Sequence, residues 1–82
     1  MEQELQRFIE QELTTDPDRR IGVDDELLLG GLVDSLGVMR LVTFIEEHGK
    51  LTVPPEHVTI ENFRSVKIIA DYIRRRNAAE PS

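Results

Sequence analysis

Apolar residues recur at helical spacing in residues 3–13, with charged residues on the opposite side. One stripe of this segment is formed by Leu5, Phe8, Ile9 and Leu13. A single apolar stripe predicts an amphipathic helix that packs one face on a core. Residues 14–18 should end it, because Pro17 disfavours helical conformation in the residue before it.

A second helix should begin at Asp34-Ser35, and it is apolar around much of its circumference. Four residues share one face, Leu36, Met39, Val42 and Ile45, and three more widen it, Val38, Leu41 and Phe44. A helix with so broad an apolar surface is expected in a central position, in contact with more than one neighbour. Gly49 is the predicted C-terminal stop.

The C-terminal part of the chain predicts one short helix and one long helix. Thr59 should cap a single turn over residues 59–63, and Ser65 should cap the long helix. The stripe of that helix is formed by Val66, Ile69, Tyr72 and Ile73. The intervening residues 50–58 contain two prolines and are predicted to be a loop, with weak strand-like alternation at 51–53.

Between the first two helices lies a long segment without sustained periodicity. Around Gly30-Gly31 it carries five large apolar residues, Leu27, Leu28, Leu29, Leu32 and Val33. These would let it pack on the core as an ordered Ω-type loop, with a short helical turn over residues 25–29 as the open alternative.

The predicted fold is all-α, a small bundle of three main helices plus one short helix, with a long ordered first loop. It forms one domain over residues 1–77, followed by a disordered tail over residues 78–82. The residues expected in the core are Leu5, Phe8, Ile9, Leu13, Leu41, Phe44, Ile45, Ile69, Tyr72 and Ile73. Met39 is also expected to pack in the core.

Composition narrows the classes of function. The chain has 82 residues, a formal charge of −6 and no cysteine. It therefore has no disulfide framework, thiolate zinc site or cysteine nucleophile. Its charge argues against nucleic-acid binding, and no apolar run approaches the roughly 20 residues that cross a bilayer. The first residues do not resemble a signal peptide, so we expect a cytoplasmic monomer that binds neither nucleic acid nor membrane.

The acidic residues are concentrated before Ser35. Residues 1–34 contain ten acidic and three basic residues, whereas residues 35–82 contain six acidic and seven basic residues. The predicted second helix, over residues 35–50, is neutral, because Glu46 and Glu47 balance Arg40 and Lys50. A partner attracted by negative charge would therefore bind residues 1–34 rather than the second helix.

Catalysis and calcium binding both have weak support. The two histidines, His48 and His57, are far from Ser35 in sequence, and the segment around Ser35 lacks the Gly-x-Ser-x-Gly pattern of a nucleophilic serine. A calcium loop counted from Asp16 would need glycine where Ile21 stands and glutamate where Leu27 stands. A solvated acidic loop is the better interpretation.

Ser35 is the remaining candidate for chemistry. A serine after aspartate at the start of an apolar helix is usually only an N-cap. However, a phosphate ester there would meet unpaired backbone N–H groups and the positive end of the helix dipole. The position therefore suits a modified serine as well as a bare one.

The segment Gly31-Leu32-Val33-Asp34-Ser35-Leu36, followed by an apolar helix, resembles the Asp-Ser-Leu attachment motif of acyl and peptidyl carrier proteins. The similarity extends over roughly residues 5–73, including the acidic first helix, the long loop, the turn over residues 59–63 and the last helix. Three residues alone are a weak signal, but their register in so short a chain is specific.

The resemblance implies a covalent cofactor, 4′-phosphopantetheine, which a magnesium-dependent phosphopantetheinyl transferase would move from coenzyme A to Ser35. Asp34 would assist the transferase complex and Leu36 would help to dock it. The thiol of the cofactor would carry an acyl or aminoacyl group as a thioester. The chain would be a carrier rather than an enzyme, serving adenylation or ligase enzymes, acyltransferases or ketosynthases. The second helix and the turn over residues 59–63 would meet these enzymes and could shelter a carried chain, to which a flexible Met39 could adapt.

Two departures bear on the pathway. Carriers of fatty-acid synthesis usually have an acidic second helix, but here Gly37 and Arg40 stand where polar or acidic residues are common. We therefore favour a stand-alone carrier of an aminoacyl or specialised pathway. The alternatives are a carrier for fatty-acid or polyketide synthesis and a non-carrier acidic helical adaptor in which Ser35 is only a cap.

Overall fold

A computed structural model describes residues 2–14, 18 and 20–79, except for the side chain of Ala79. It contains four α-helices, α1 (Glu2–Phe8), α2 (Ser35–Gly49), α3 (Ile60–Phe63) and α4 (Val66–Ala79). No strand occurs among the described residues, so the weak alternation at 51–53 is not a strand. The predicted all-α bundle of three main helices and one short helix is confirmed.

The first helix ends where the sequence predicts, but its last turn differs. Ile9–Leu13 is π-helical, and the backbone N–H of Thr14 donates to the carbonyl of Ile9 at 3.1 Å. Residues 15–17, which include Pro17 and the first position of the rejected calcium loop, lie outside the described part of the chain.

The long loop is fastened to the first helix at Ile21. Glu10 accepts a hydrogen bond from the backbone N–H of Ile21 at 2.6 Å, and Gln6 donates to its carbonyl at 2.7 Å. The Ile21 side chain is buried in the core. These contacts hold the loop at Ile21 against the first helical segment.

The rest of the loop packs as the Ω-type interpretation predicts. Leu27 is fully buried, and its backbone N–H donates to the carbonyl of Arg64 at 2.7 Å. Residues 25–29 form turns and bends rather than a helical turn. Gly30 has no room for a side chain, because an added Cβ would lie 2.4 Å from the carbonyl oxygen of Glu26, and Gly31 adopts a φ of +75°.

An ion pair adds a second tie between this loop and the end of α3. Arg64 donates to Glu26 at 2.5 Å. That hydrogen bond, and then the charge of the carboxylate, raise the pKa of Arg64 above its ordinary value. Because both side chains are well exposed, the ion pair contributes to loop geometry more than to stability.

α2 buries one side only, which corrects the prediction of its apolar face. Gly37, Leu41, Val42 and Ile45 are buried. Leu36 and Met39, predicted on the same face as Val42 and Ile45, are 76% and 62% exposed. The helix packs against α4 and, through stacked rings of Phe8 and Phe44 at 4.3 Å, against α1. Since no element in the described part of the chain covers its other side, the remaining apolar residues of α2 lie at the surface.

The C-terminus of α2 differs by one residue from the prediction. Gly49 is the last helical residue, and Lys50 adopts the left-handed conformation with a φ of 54°. Gly49 is instead packed closely, because an added Cβ would lie 3.2 Å from the side chain of Leu51.

The last two helices begin as predicted. Thr59 accepts a hydrogen bond from the N–H of Asn62 at 3.3 Å, and Ser65 accepts one from the N–H of Ile68 at 3.3 Å. The predicted stripe of α4 is entirely buried. The predicted loop over residues 50–58 contains a short 3-10 turn at Pro55–His57. Of the predicted tail, Ala78 and Ala79 are helical and residues 80–82 lie outside the described part.

Most of the residues expected in the core are there. Those buried are Leu5, Ile9, Leu41, Ile45, Ile69, Tyr72 and Ile73, while Phe8, Leu13 and Phe44 are partly buried against them. Met39 is the exception. No helix in the described part of the chain has the length and apolar character needed to cross a membrane.

Candidate functional site

Asp34, rather than Ser35, is the N-cap of α2. Its carboxylate oxygen Oδ1 accepts a hydrogen bond from the backbone N–H of Gly37 at 2.8 Å. Ser35 is consequently the first residue of the helix. The interpretation of Ser35 as a cap is wrong, because the aspartate before it already satisfies the helix end.

The hydroxyl of Ser35 is therefore available for chemistry. The side chain is exposed, and among the described residues none forms a hydrogen bond with it. The backbone N–H groups of Ser35 and Leu36 belong to the first turn, where no intrahelical carbonyl can accept them. An exposed hydroxyl thus lies beside two free donors at the positive end of a 15-residue helix.

A groove of about 620 Å³ runs beside Ser35. Its walls come from the long loop, α2 and α3, and are formed by Leu28, Val33, Asp34, Ser35, Val38, Met39, Val58, Thr59, Ile60 and Phe63. Apart from Asp34, Ser35 and Thr59, these residues are apolar. The sequence suggested that α2 and the turn at residues 59–63 could enclose a carried chain, and the two segments do face each other across this groove.

Among the described residues, the large apolar side chains that remain exposed are Leu29, Leu36, Met39 and Ile60. Met39 and Ile60 line the groove together with Ser35, Leu36 follows Ser35 in α2, and Leu29 follows the groove residue Leu28. Sequence periodicity placed Leu36 and Met39 on the same face as Val42 and Ile45, and Met39 was expected to pack in the core. The signal that could have separated them is the width of the apolar surface of α2, which exceeds what its neighbours in so small a bundle can cover.

Gly37 and Arg40, the two departures from fatty-acid carriers, have local structural roles. An added Cβ at Gly37 would lie 2.9 Å from a methyl of Val33 and 3.3 Å from the carboxylate of Asp34. Arg40 donates to the carbonyl of Glu12 at 2.9 Å and to its side chain at 3.2 Å. A cation at the C-terminal end of the first helical segment satisfies carbonyls that have no helical partner.

Neither histidine lines the groove beside Ser35. His57 is hydrogen-bonded through Nδ1 to the hydroxyl of Tyr72 at 2.7 Å. His48 stacks on Phe44 with ring centroids 4.0 Å apart. Both rings therefore have a structural role, and the groove offers no general base from a histidine.

The cap gives a first testable prediction. Asp34→Ala should lower the free energy of unfolding by about 1 kcal/mol, because Gly37 N–H loses its acceptor. Asp34→Asn is the matched control, since its amide oxygen can cap equally well while the charge is removed. Urea unfolding followed by circular dichroism measures both. Equal stability of all three proteins would show that the cap does not support the helix.

The comparisons with known proteins agree with this geometry. No curated protein matches the chain significantly. A scan against protein families matches residues 3–73 to the family described as the phosphopantetheine attachment site. Members of this family bind 4′-phosphopantetheine covalently and are carrier domains. The match covers most of the 82-residue chain, from α1 to the middle of α4. The chain therefore belongs to the phosphopantetheine attachment family.

Proposed function

We propose that this protein carries acyl or aminoacyl intermediates on a 4′-phosphopantetheine arm attached to Ser35. The proposal rests on the different roles of Asp34 and Ser35 at the start of α2. Asp34 caps the helix, which leaves the Ser35 hydroxyl exposed and without a hydrogen bond from the described residues. A serine that only stabilised the helix would be the cap itself.

The surroundings of Ser35 fit the cofactor in charge and in space. The free N–H groups of Ser35 and Leu36 would donate hydrogen bonds to phosphodiester oxygens, whose negative charge the helix dipole also favours. The groove of about 620 Å³ is lined in part by Ser35 and offers an apolar surface for the group that the arm carries. The cofactor would supply a thiol, which this chain lacks because it has no cysteine.

Two neighbours of Ser35 are proposed to serve the phosphopantetheinyl transferase. Leu36 is 76% exposed, so it is available for contact with a partner. Asp34 is exposed as a residue, and its carboxylate has a second oxygen that is not engaged in the cap to Gly37. The partners that load and unload the arm would be adenylation or ligase enzymes, acyltransferases or ketosynthases.

For the pathway, we favour an aminoacyl or specialised carrier over one for fatty-acid or polyketide synthesis. Support comes from the charge of the surface beside Ser35. The first half of α2 contains no acidic residue, and Glu46 in its second half accepts a hydrogen bond from the N–H of Val53 at 2.9 Å. Arg40 adds little to this argument, because its guanidinium is engaged with Glu12.

Incubation with coenzyme A, magnesium and a broad-specificity phosphopantetheinyl transferase tests the proposal. Intact-mass spectrometry should show the addition of one phosphopantetheinyl group. Digestion should place it on the peptide with Ser35 and leave the peptide with Ser65 unchanged, since Ser65 is buried. A protein that gains no mass would favour the adaptor interpretation, and a mass gained on another peptide would overturn the assignment to Ser35.

A further inference from the structure

We propose that the ion pair between Glu26 and Arg64 is an electrostatic latch on the groove beside Ser35. When the pair is closed, the loop wall of the groove is held against α3 and shelters a carried group. When the pair is open, that wall loosens and water reaches the thioester. This inference rests on the proposed function, to which it adds a control over access to the thioester.

The ion pair joins two segments that lie 38 positions apart in sequence. Arg64 follows α3 directly, and it donates from Nη2 to Oε1 of Glu26 at 2.5 Å and from Nε to Oε2 at 3.4 Å. A two-point contact between a guanidinium and a carboxylate fixes orientation as well as distance. The pair therefore holds the loop and the end of α3 in one relative orientation.

Each half of the ion pair lies next to a wall of the groove. Phe63, the residue before Arg64, lines the groove from α3, and Leu28, two residues after Glu26, lines it from the loop. The backbone between them is also bonded, since the N–H of Leu27 donates to the carbonyl of Arg64 at 2.7 Å. Without the ion pair, this one backbone hydrogen bond would have to hold the two walls together at this point.

Leu27 connects the ion pair to the rest of the loop wall. Its carbonyl accepts hydrogen bonds from the N–H groups of Leu32 and Val33, each at 3.0 Å. Val33 lines the groove, and a Cβ added at Gly37 would lie 2.9 Å from one of its methyl groups. A shift of Leu27 would therefore move the loop wall as far as the first turn of α2.

The ion pair is exposed enough to open while the bundle stays folded. The side chains of Arg64 and Glu26 are 45% and 41% exposed. Exposed ion pairs contribute little to stability and are weakened by salt. The apolar residues beside them, Leu27 and Phe63, are buried in the core independently of these charges. Opening of the pair should therefore change the groove and leave the core intact.

Amide exchange tests the latch on the apo-protein, without reference to the carrier function. Glu26→Gln removes the charge at nearly constant size, and the double variant Glu26→Arg with Arg64→Glu restores an ion pair of reversed polarity. The exchange rate of the Leu27 N–H, measured by NMR, should rise about threefold in Glu26→Gln and return toward the wild-type rate in the double variant. The Ile69 N–H, which is bonded to the carbonyl of Ser65, should not change.

Asp71→Asn is the matched control. It removes an exposed carboxylate from another ion pair, with Arg74 in α4, and neither residue lines the groove. Exchange of the Leu27 N–H should therefore stay at the wild-type rate in this variant. If Asp71→Asn accelerates that exchange as much as Glu26→Gln does, or if Glu26→Gln has no effect, the latch is overturned.

A loaded thioester tests what the latch controls. A broad-specificity transferase attaches the arm from octanoyl-coenzyme A or from acetyl-coenzyme A, whose acyl group is too short to reach along the groove. Hydroxylamine then attacks the thioester carbonyl through nitrogen and breaks the C–S bond, which gives a hydroxamate and the free thiol. Intact mass follows the loss of the acyl group, and each rate is divided by that of the corresponding free coenzyme A ester.

The octanoyl group on the wild type should be cleaved several-fold more slowly than the acetyl group. Glu26→Gln, or about 1 M sodium chloride with the wild type, should raise the octanoyl rate about threefold and leave the acetyl rate unchanged. The same salt should have no further effect on Glu26→Gln.

Equal octanoyl and acetyl rates, or an octanoyl rate that neither the variant nor salt changes, overturn the latch, whereas successful loading leaves the carrier function standing. A wild-type protein that accepts no arm from either ester overturns the carrier function, and with it the control of the thioester.

Discussion

Replacement of Ser35 by alanine is expected to abolish attachment of phosphopantetheine completely while leaving the fold unchanged. The hydroxyl is the only group at the start of α2 that the modification can use, so no residual reaction should remain. It is exposed and forms no hydrogen bond with the described residues, and Asp34 retains the cap. The free energy of unfolding should therefore change by less than about 0.5 kcal/mol. Intact-mass spectrometry and urea unfolding measure the two quantities on the same sample.

Ser65→Ala is the matched control, because Ser65 is a buried serine that caps α4 through the N–H of Ile68. That variant should accept the arm as the wild type does, yet lose about 1 kcal/mol of stability. The two variants should therefore have opposite effects: Ser35→Ala loses modification and keeps stability, whereas Ser65→Ala keeps modification and loses stability. An arm still attached to Ser35→Ala would show that the attachment site lies elsewhere.

The helices could be predicted because their signals are local. Apolar spacing within 3–13 and within α4 marks residues that are indeed buried, such as Ile9 and Ile69. The caps at Thr59 and Ser65 were predictable for the same reason, since a cap depends on residues three positions apart in sequence.

The error at the start of α2 came from two adjacent residues that can both cap a helix. Aspartate and serine have similar N-cap preference, so sequence alone does not decide which of Asp34 and Ser35 takes the position. The structure resolves the choice through the backbone, because Asp34 is extended while Ser35 is already helical. Because the cap lies one residue earlier, at Asp34, the Ser35 hydroxyl is not used to stabilise the helix and is available for modification.

The exposure of Leu36 and Met39 could not be predicted from periodicity alone, because it depends on which elements pack against α2. Periodicity identifies a broad apolar surface, but the number of neighbours decides how much of it is covered. In a bundle of this size the neighbours of α2 cover only the side that contains Leu41 and Ile45. The groove depends likewise on the distance between α2 and α3, which are separated by ten residues of chain.

The loop before Ser35 contacts both the start of α2 and the region where α3 ends and α4 begins. Its backbone is bonded to the α3–α4 junction at two places, from Leu27 N–H to the carbonyl of Arg64 and from Lys67 N–H to the carbonyl of Val23. Since Val33 packs on Gly37, the same loop also contacts the first turn of α2. The loop therefore sets α3 and the start of α2 relative to each other, and with them the width of the groove at Ser35.

Leu41→Asp is expected to unfold the domain, in contrast to substitutions on the exposed side of the same helix. Leu41 is 1% exposed, and no described cation lies in the core cluster around it. A buried carboxylate without a partner costs several kcal/mol, whereas a domain of this length has a total stability of about 4–12 kcal/mol. Circular dichroism should show loss of the cooperative thermal transition, and Leu41→Ala, which leaves a cavity, should retain it with stability reduced by about 2–5 kcal/mol.

Met39→Asp is the matched control, because it places the same charge two residues away on the exposed side of α2. Met39 is 62% exposed, so its carboxylate would remain hydrated and the thermal transition should stay close to that of the wild type. The contrast between the two variants measures which side of α2 faces the core. Cooperative melting of Leu41→Asp near the wild-type temperature would mean that the helix is rotated, with Leu41 at the surface and Met39 turned inward.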